Sequence, residues 1–412
     1  MLPTSFRLGK RLTIGSEAVG TAPGERAVTL NGRMEHLSLG IFAGSRKHDE
    51  RRLPLHPRHI AGIDQDLRER IYLEHGYGSR FGFSDTDLAP LVGGHRTHEE
   101  LVAECDVLLQ PKPLAADVAE MREGQVLWGW PHCVQDEALT QAAIDRRATM
   151  IAWEAMNHWN SDGTFNLHVF HKNNELAGYC SVLHALQLAG VTGQYGRPLR
   201  ACVVGFGATG RGAVTALSAL GVHQVSVLTQ REISAVASPI HSVRMITFAR
   251  DPDRPGDTLE LDGRNETVEE FLADHDVIVN CVFQDTDAPL TLVTNEELPL
   301  FPPGSLFIDV SCDEGMGFEW ARSTSFADPA FTVGDGLTYY AVDHSPSFLW
   351  DSATWEISLA LMPHLRTVME GPASWLTDEV IARAIEIQGG EIQNPKILSF
   401  QGRASEFPHA RS

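Results

Sequence analysis

Two series of short, almost wholly apolar runs constrain this chain more than any other feature. The first occupies residues 41–42, 71–73, 106–109, 126–128 and 150–153; the second occupies 201–204, 225–228, 277–280 and 306–309. Each run is followed by a turn and then by a stretch of helical periodicity. A strand exposed on one face alternates apolar and polar residues. Runs without alternation therefore predict strands buried on both faces, in parallel sheets covered by helices. Two series predict an α/β chain of two doubly wound parallel-sheet domains with a cleft between them. Two helices are expected to join the domains. One carries Leu176, Tyr179, Leu183 and Leu186 before Gly190, and the other carries Ile357, Leu361 and Leu365. If both cross between domains, the first domain is discontinuous, 37–172 plus 336–400, and 173–335 forms the second. Residues 231–265, rich in Asp, Arg, Pro and Gly, read as a long loop inside the second domain. Residues 1–36 are rich in Thr, Gly, Ser and Arg and lack the apolar core of a signal peptide, so they are expected to be a poorly ordered extension.

At 412 residues, 43% hydrophobic and 21% charged, the chain can build two cores and is too apolar for general disorder. Its net charge of −21 argues against the basic face that a phosphate backbone or an anionic membrane needs. No apolar run approaches the roughly 18 residues of a membrane span. Neither nucleic acid nor membrane is an expected partner. The six cysteines, at 105, 133, 180, 202, 281 and 312, show no CxxC or zinc-type spacing. Most lie in apolar runs and are expected to be reduced, buried thiols of a cytoplasmic protein, with no metal site.

Gly205-Phe206-Gly207-Ala208-Thr209-Gly210 is a GxGxxG set between the run 201–204 and a helix over 211–220. In that setting Gly205 permits the tight turn, Gly207 lets backbone approach a pyrophosphate, and Gly210 lets the helix pack close to its strand. The helix start offers N–H donors and the positive end of its dipole to phosphate. The second domain is thus expected to be Rossmann-like and to bind NAD(P) through Gly205, Gly207, Ala208, Thr209 and Gly210. An NAD-preferring site usually carries Asp or Glu about 20 residues on. Here Thr229-Gln230-Arg231 stand at that strand end, followed by Glu232. An Arg231 guanidinium suits a 2′-phosphate, so NADP(H) is expected to be preferred, with NAD(H) possible. The alternative is a solvated Arg231 with Glu232 on the ribose. Cys281 and Val282, after the run 277–280, and His344 are the remaining cofactor-facing positions expected.

Ligands of open α/β sheets lie beyond the carboxyl ends of the strands. Those positions hold Arg52 after the first run, Lys112 after 106–109, His132 after 126–130, Glu154 at the end of 150–153 and Asp313 after 306–310. Two cations, a His and two acids at one crevice suit a 2-oxo acid, with cations for its carboxylate and a His for proton transfer at its carbonyl. Singly, each has a plainer reading: Lys112 as a surface charge between Pro111 and Pro113, His132 as a structural residue. Trp128, Trp130 and Trp153 read as core or pocket wall.

These segments resemble the alanine dehydrogenase and nicotinamide nucleotide transhydrogenase superfamily over roughly residues 37–370. DERRLPLHP is similar to the family's N-terminal Arg motif, DVLLQPK to its catalytic Lys segment, GQVLWGWPH to the segment ending in its catalytic His, and LFIDVSCDEG to the segment with an Asp near the nicotinamide. The resemblance implies Arg52 on the substrate carboxylate and Lys112, His132 and Asp313 as catalytic groups, Asp313 near the cofactor as well; Glu154 is expected at the substrate from its strand-end position. AGYCSVLHAL is similar to the linking helix of carboxyethylornithine synthase, and VDHSPSFLW to saccharopine dehydrogenase. Pro113 and Gln135 stand where the saccharopine enzymes carry an acid and a Lys, and Thr229 where alanine dehydrogenases usually carry Asp. The resemblance implies an opine-type enzyme that condenses a 2-oxo acid such as pyruvate with an amino group of an amino acid such as ornithine or lysine, at the expense of NAD(P)H. The alternatives are alanine dehydrogenase-type amination with ammonia, saccharopine dehydrogenase-like activity, and a nucleotide-sensing protein without catalysis. A homo-oligomer is expected.

Overall fold

The computed structural model describes residues 36–230, 243–250, 257–261, 264–284 and 289–411. The extension expected at 1–36 lies outside them except for His36. Strands β1 (Leu39–Ile41), β2 (Ile71–Glu74), β3 (Gly94–Arg96), β4 (Val107–Gln110), β5 (Val126–Gly129) and β6 (Thr149–Ala152) run parallel in the order β6-β5-β4-β1-β2-β3. Every residue of β4, β5 and β6 is buried, as the unbroken apolar runs require. The chain winds outward from β1 to β3, then restarts on the other side of β1 with β4. Loops leaving β1 and β4 diverge there, which opens a crevice at the carboxyl ends of the strands.

A hairpin of β7 (Asn157–Trp159) and β8 (Phe165–His168) leads into the helix His171–Leu188. The second sheet repeats the winding. Strands β9 (Arg200–Val204), β10 (Gln224–Thr229) and β11 (Val243–Arg250) run outward, and the antiparallel β12 (Asp257–Leu261) and β13 (Arg264–Thr267) extend that edge. The chain then restarts beside β9 with β14 (Val277–Asn280). The two-stranded pair of β15 (Thr291–Val293) and β17 (Gly317–Phe318) flanks β16 (Leu306–Asp309) in sequence, and β18 (Ala330–Val333) and β19 (Leu337–Tyr340) complete the nine-stranded sheet. Its switch point falls between β9 and β14. Finally β20 (Ile385–Gln388) and β21 (Glu391–Ile392) return to the first sheet, where β20 pairs antiparallel with β6 and makes that sheet eight-stranded.

Four expectations are corrected. The segment 231–265 is not one long loop, because β11 lies parallel beside β10 and β12 pairs with β11. Arg244 and Arg250 break the apolar run that marks the inner strands. The return to the first domain comes after Tyr340 rather than at 336, since β19 pairs with β16. The second joining helix ends at Leu361, a turn containing Pro363 intervenes at Met362–His364, and Leu365 opens a new helix. The C-terminal strands β20 and β21 are not expected from the sequence, because Glu386 breaks the unbroken apolar run that marks the inner strands.

The helix His171–Leu188 crosses the fingerprint helix Ala208–Ala219 at backbone contact. A Cβ on Gly178 would stand 1.9 Å from the Thr209 carbonyl oxygen, and one on Gly212 would stand 1.7 Å from that of Glu175. Among the described residues no helix is long and apolar enough to cross a membrane, no group of three His, Cys, Asp or Glu could hold a metal, and all six cysteines are unpaired.

Candidate active site

The fingerprint turn has the form its glycines imply. Gly205 lies at φ +90°, and a Cβ there would meet the Cys281 carbonyl oxygen at 2.8 Å. At Gly210 a Cβ would collide with the Gly205 carbonyl at 2.1 Å, whereas at Gly207 it would meet nothing within 4 Å. Gly207 caps the helix Ala208–Ala219, so its open backbone and the first N–H groups of that helix form a cradle that fits a pyrophosphate.

Across the crevice, Arg52 follows β1 and is buried. Its Nε donates to Glu50 at 2.8 Å, one terminal nitrogen donates to Asn173 at 3.2 Å, and its guanidinium lies 4.9 Å from the centre of the Trp130 ring. Burial raises the Glu50 carboxyl, but the Arg52 charge and hydrogen bonds outweigh that and hold it at about 2. Glu50 therefore anchors Arg52 as a fixed cation. Bonds to Glu50 and Asn173 occupy three of its five N–H donors, which leaves two for a ligand.

Lys112 leaves β4 between two prolines, and its carbonyl accepts from Ser45 at 3.0 Å. His132 leaves β5 with φ +48°, a left-handed conformation uncommon for a residue with a Cβ. Its backbone N–H donates to Glu154 Oε1 at 2.7 Å, and the strained turn directs the ring into the crevice. Lys112 Nζ and His132 Nε2 are 2.8 Å apart. Burial lowers the Lys112 pKa, and the Arg52 charge adds to this while Asp343 opposes it. Burial, then the Lys112 charge, pushes His132 well below its ordinary value. A neutral ring that accepts from the Lys112 ammonium at Nε2 carries its hydrogen on Nδ1, the side on which Glu154 Oε1 lies at 3.9 Å. Burial and the Glu386 charge raise the Glu154 carboxyl to about 8.

Asp313 sits on the loop after β16. Asp309 anchors that loop by accepting from the Tyr339 hydroxyl at 2.7 Å and from the amides of Ser311 and Cys312 at 3.1 and 3.2 Å. Burial raises Asp313 to about 6.

One cleft of about 470 Å³ is lined by Arg52, Lys112, His132 and Glu154 from the first sheet's loops and by Thr209, Cys281, Val282 and Asp313 from the second's. Gly205, Gly207, Ala208 and Gly210 form the turn and helix start that carry Thr209. Thr229, buried, and Gln230, exposed, end β10 and are not part of the lining. Arg231 lies outside the described residues. His344 is buried, bonds Asp343 through Nδ1 at 2.6 Å and is likewise absent from the lining. Its neighbour is the residue that reading the sequence missed. Asp343 lines the cleft and pairs with Lys47 Nζ at 2.7 Å. Its burial is outweighed by the His344 bond and by the Lys112 and Lys47 charges, so it stays ionised. Its position marks it, as it follows the carboxyl end of β19, a parallel strand whose apolar run Thr338 interrupts. Glu386, Asn394 and Lys396 also line the cleft. No local signal marks them, because the C-terminal segment reaches the site only through the pairing of β20 with β6.

Two family models match the sequence: the N-terminal domain of alanine dehydrogenase/PNT over residues 40–176, and the C-terminal domain of alanine dehydrogenase/PNT over 182–395, more than half of the chain. The chain belongs to the alanine dehydrogenase/PNT family. It is an NAD(P)-dependent oxidoreductase of that family. It is 24% identical over 378 residues to the alanine dehydrogenase of Mycobacterium tuberculosis, covering 86% of this chain and 95% of the relative. It is 25% identical over 327 residues to the N(5)-(carboxyethyl)ornithine synthase of Clostridium botulinum, covering 77% and 90%. The solved structure of an L-alanine dehydrogenase superposes with a TM-score of 0.69 at 19% identity, over 88% of this chain and 99% of the other. A transhydrogenase from Sinorhizobium meliloti superposes at 0.65 and 20%, over 87% and 99%. These superpositions establish the two-domain fold. Alanine dehydrogenases are the more common name among the relatives, so the expected placement nearest the ornithine synthase branch is not what the similarities favour.

Proposed function

We propose that the cleft interconverts a 2-oxo acid and an amino acid with ammonia as the amine, a reductive amination of the alanine dehydrogenase type. The observation that carries this reading is that Arg52, the Lys112–His132 couple and Asp313 line one cleft with Thr209 of the nucleotide-binding turn. The bound nucleotide would supply or accept the hydride. The two unused N–H donors of Arg52 would hold the oxo-acid carboxylate. Lys112 would polarise the carbonyl oxygen, and the couple would deliver the proton with which that oxygen leaves as water; in reverse, neutral His132 takes the proton back. Asp313, ionised above about pH 6, would hold the incoming amine. NADP(H) is proposed over NAD(H) because Thr229 stands where an acid would otherwise meet the ribose. A cytoplasmic homo-oligomer is proposed on the family resemblance.

A second reading, condensation with the amino group of a larger amino acid, is favoured by one feature. Beyond His132 the cleft wall continues through Gln135, Asn394 and Lys396, polar groups that ammonia does not need. NAD(P)H oxidation with pyruvate and ammonia, then with ornithine or lysine in place of ammonia, separates the two. Turnover with ammonia supports the first reading, and turnover only with a diamino acid supports the second. Tight nucleotide binding without turnover across a panel of oxo acids and amines refutes both.

A further inference from the structure

The cleft wall carries an aromatic ring that packs against nothing in the protein. We propose that Phe283 packs on the nicotinamide ring of the bound nucleotide and shields it from water, so that this side chain binds the reacting end of the cofactor. The proposal deepens the reading of the cleft as a nicotinamide nucleotide site and is independent of which amine is the substrate.

Phe283 is 96% exposed, more than any other large hydrophobic side chain among the described residues, and it is the one exposed side chain of that kind that lines the cleft. Single exposed apolar residues are ordinary on a protein surface. Phe283 differs because the chain is tied down on both sides of it. Before it, the Val282 amide donates to Oδ1 of the buried Asn280 at 3.1 Å, and the Val282 carbonyl accepts from the Ser311 hydroxyl at 2.5 Å. After it, the buried Gln284 side chain accepts from the Leu290 amide at 2.9 Å and donates to the Leu290 carbonyl at 3.3 Å. The ring is thus held out over the cleft by anchored backbone. The lining's other large aromatic side chain, Trp130, is already engaged, 4.9 Å from the Arg52 guanidinium and 4.7 Å from the Trp153 ring. Among the described residues Phe283 makes no such contact.

The sheet order decides which part of the nucleotide meets this ring. A doubly wound sheet holds a dinucleotide across its switch point, one mononucleotide on each half. The fingerprint turn and β10 belong to one half, and β14 opens the other. Phe283 follows the end of β14, is tied through Val282 and Ser311 to the loop of Asp313, and lines the same cleft as Lys112 and His132. Hydride transfer needs the reacting carbons roughly 3–3.5 Å apart, so the nicotinamide, not the adenine, must enter that cleft. Its flat ring offers a face of the kind a Phe ring stacks on.

Binding, not turnover, tests this. Wild type, Phe283→Ala and Phe283→Tyr are titrated calorimetrically with whichever of NADPH and NADH the wild type binds more tightly. The same proteins are titrated with the matching fragment that lacks nicotinamide, 2′-phospho-ADP-ribose or ADP-ribose. Phe283→Ala should raise the Kd of the whole nucleotide roughly tenfold, as expected for losing a partly buried Phe ring, and leave that of the fragment unchanged. The fluorescence of the bound reduced nucleotide, enhanced where water is kept from the nicotinamide, should lose that enhancement in Phe283→Ala and keep it in Phe283→Tyr. Because the ring is exposed in the free protein, the Tm without ligand should not change. A lowered Tm in ligand-free Phe283→Ala would make the residue structural and overturn the proposal. Equal weakening of nucleotide and fragment overturns it too, by placing the ring on the adenosine half. So does unchanged binding of both, whether it comes with a raised KM for the oxo acid or with a changed oligomeric state. A protein that shows the expected binding pattern but does not aminate an oxo acid refutes the reaction proposed above and leaves the role of Phe283 standing.

Discussion

Replacing Gly212 by Ala tests how firmly the joining helix fixes the nucleotide turn. The new Cβ would stand 1.7 Å from the Glu175 carbonyl oxygen, whereas real contacts of this kind stay above 3.0 Å, so the helices must part by about 1.3 Å. The obstacle is backbone, and no side-chain rotation relieves it. Overpacking typically costs about 1–3 kcal/mol, and a backbone clash belongs at the upper end. For a chain of this length the unfolding entropy is roughly 0.8 kcal/mol/K, so about 3 kcal/mol lowers Tm by about 4 °C in a cooperative transition. The functional consequence is larger. Arg52 bonds Asn173 on the joining helix, and Thr209 touches that helix at Gly178, so parting the helices moves the carboxylate site relative to the nucleotide site. A displacement of about 1 Å can cost on the order of 100-fold in turnover. Calorimetry and steady-state kinetics on Gly212→Ala should show both losses. The contrasting Gly207→Ala meets nothing within 4 Å and should keep its Tm while binding the nucleotide more weakly. A Gly212→Ala protein with Tm within about a degree of wild type and normal kcat would refute the argument that this crossing holds the two sites in register.

His132→Asn should leave nucleotide binding intact, measured by fluorescence titration, and cut kcat by about 10²–10⁴. Asp313, raised by burial to about 6, loses its charge as the pH falls through that value, so kcat/KM should fall below about pH 6 and the inflection should vanish in Asp313→Asn. Glu50 has its pKa depressed, so the stability it lends is fully present above the ordinary carboxylate value and lost only as the pH falls toward about 2. Glu50→Gln should therefore lower Tm at neutral pH and flatten its acid dependence. Arg231→Ala should raise the KM for NADPH roughly ten- to hundredfold and leave that for NADH nearly unchanged.

The inner strands and the chemical groups at their ends were legible because both are local. An unbroken apolar run marks a doubly covered strand, and the residue after it stands at the carboxyl edge whatever the rest of the chain does. Arg52, Lys112, His132 and Asp313 are readable from the sequence for that reason. The outer strands were not legible in this way, since β11 carries Arg244 and Arg250 and β20 alternates Ile with Glu. Their strand character rests on pairing with β10 and β6. Contacts made far apart in sequence decided the remainder of the site. Lys47 meets Asp343 across 296 positions, Arg52 meets Asn173 across 121, and Glu386 reaches the cleft only because β20 adds to the sheet beside β6. Local propensity carries no record of such meetings; sheet order and the close crossing at Gly178 and Gly212 create them.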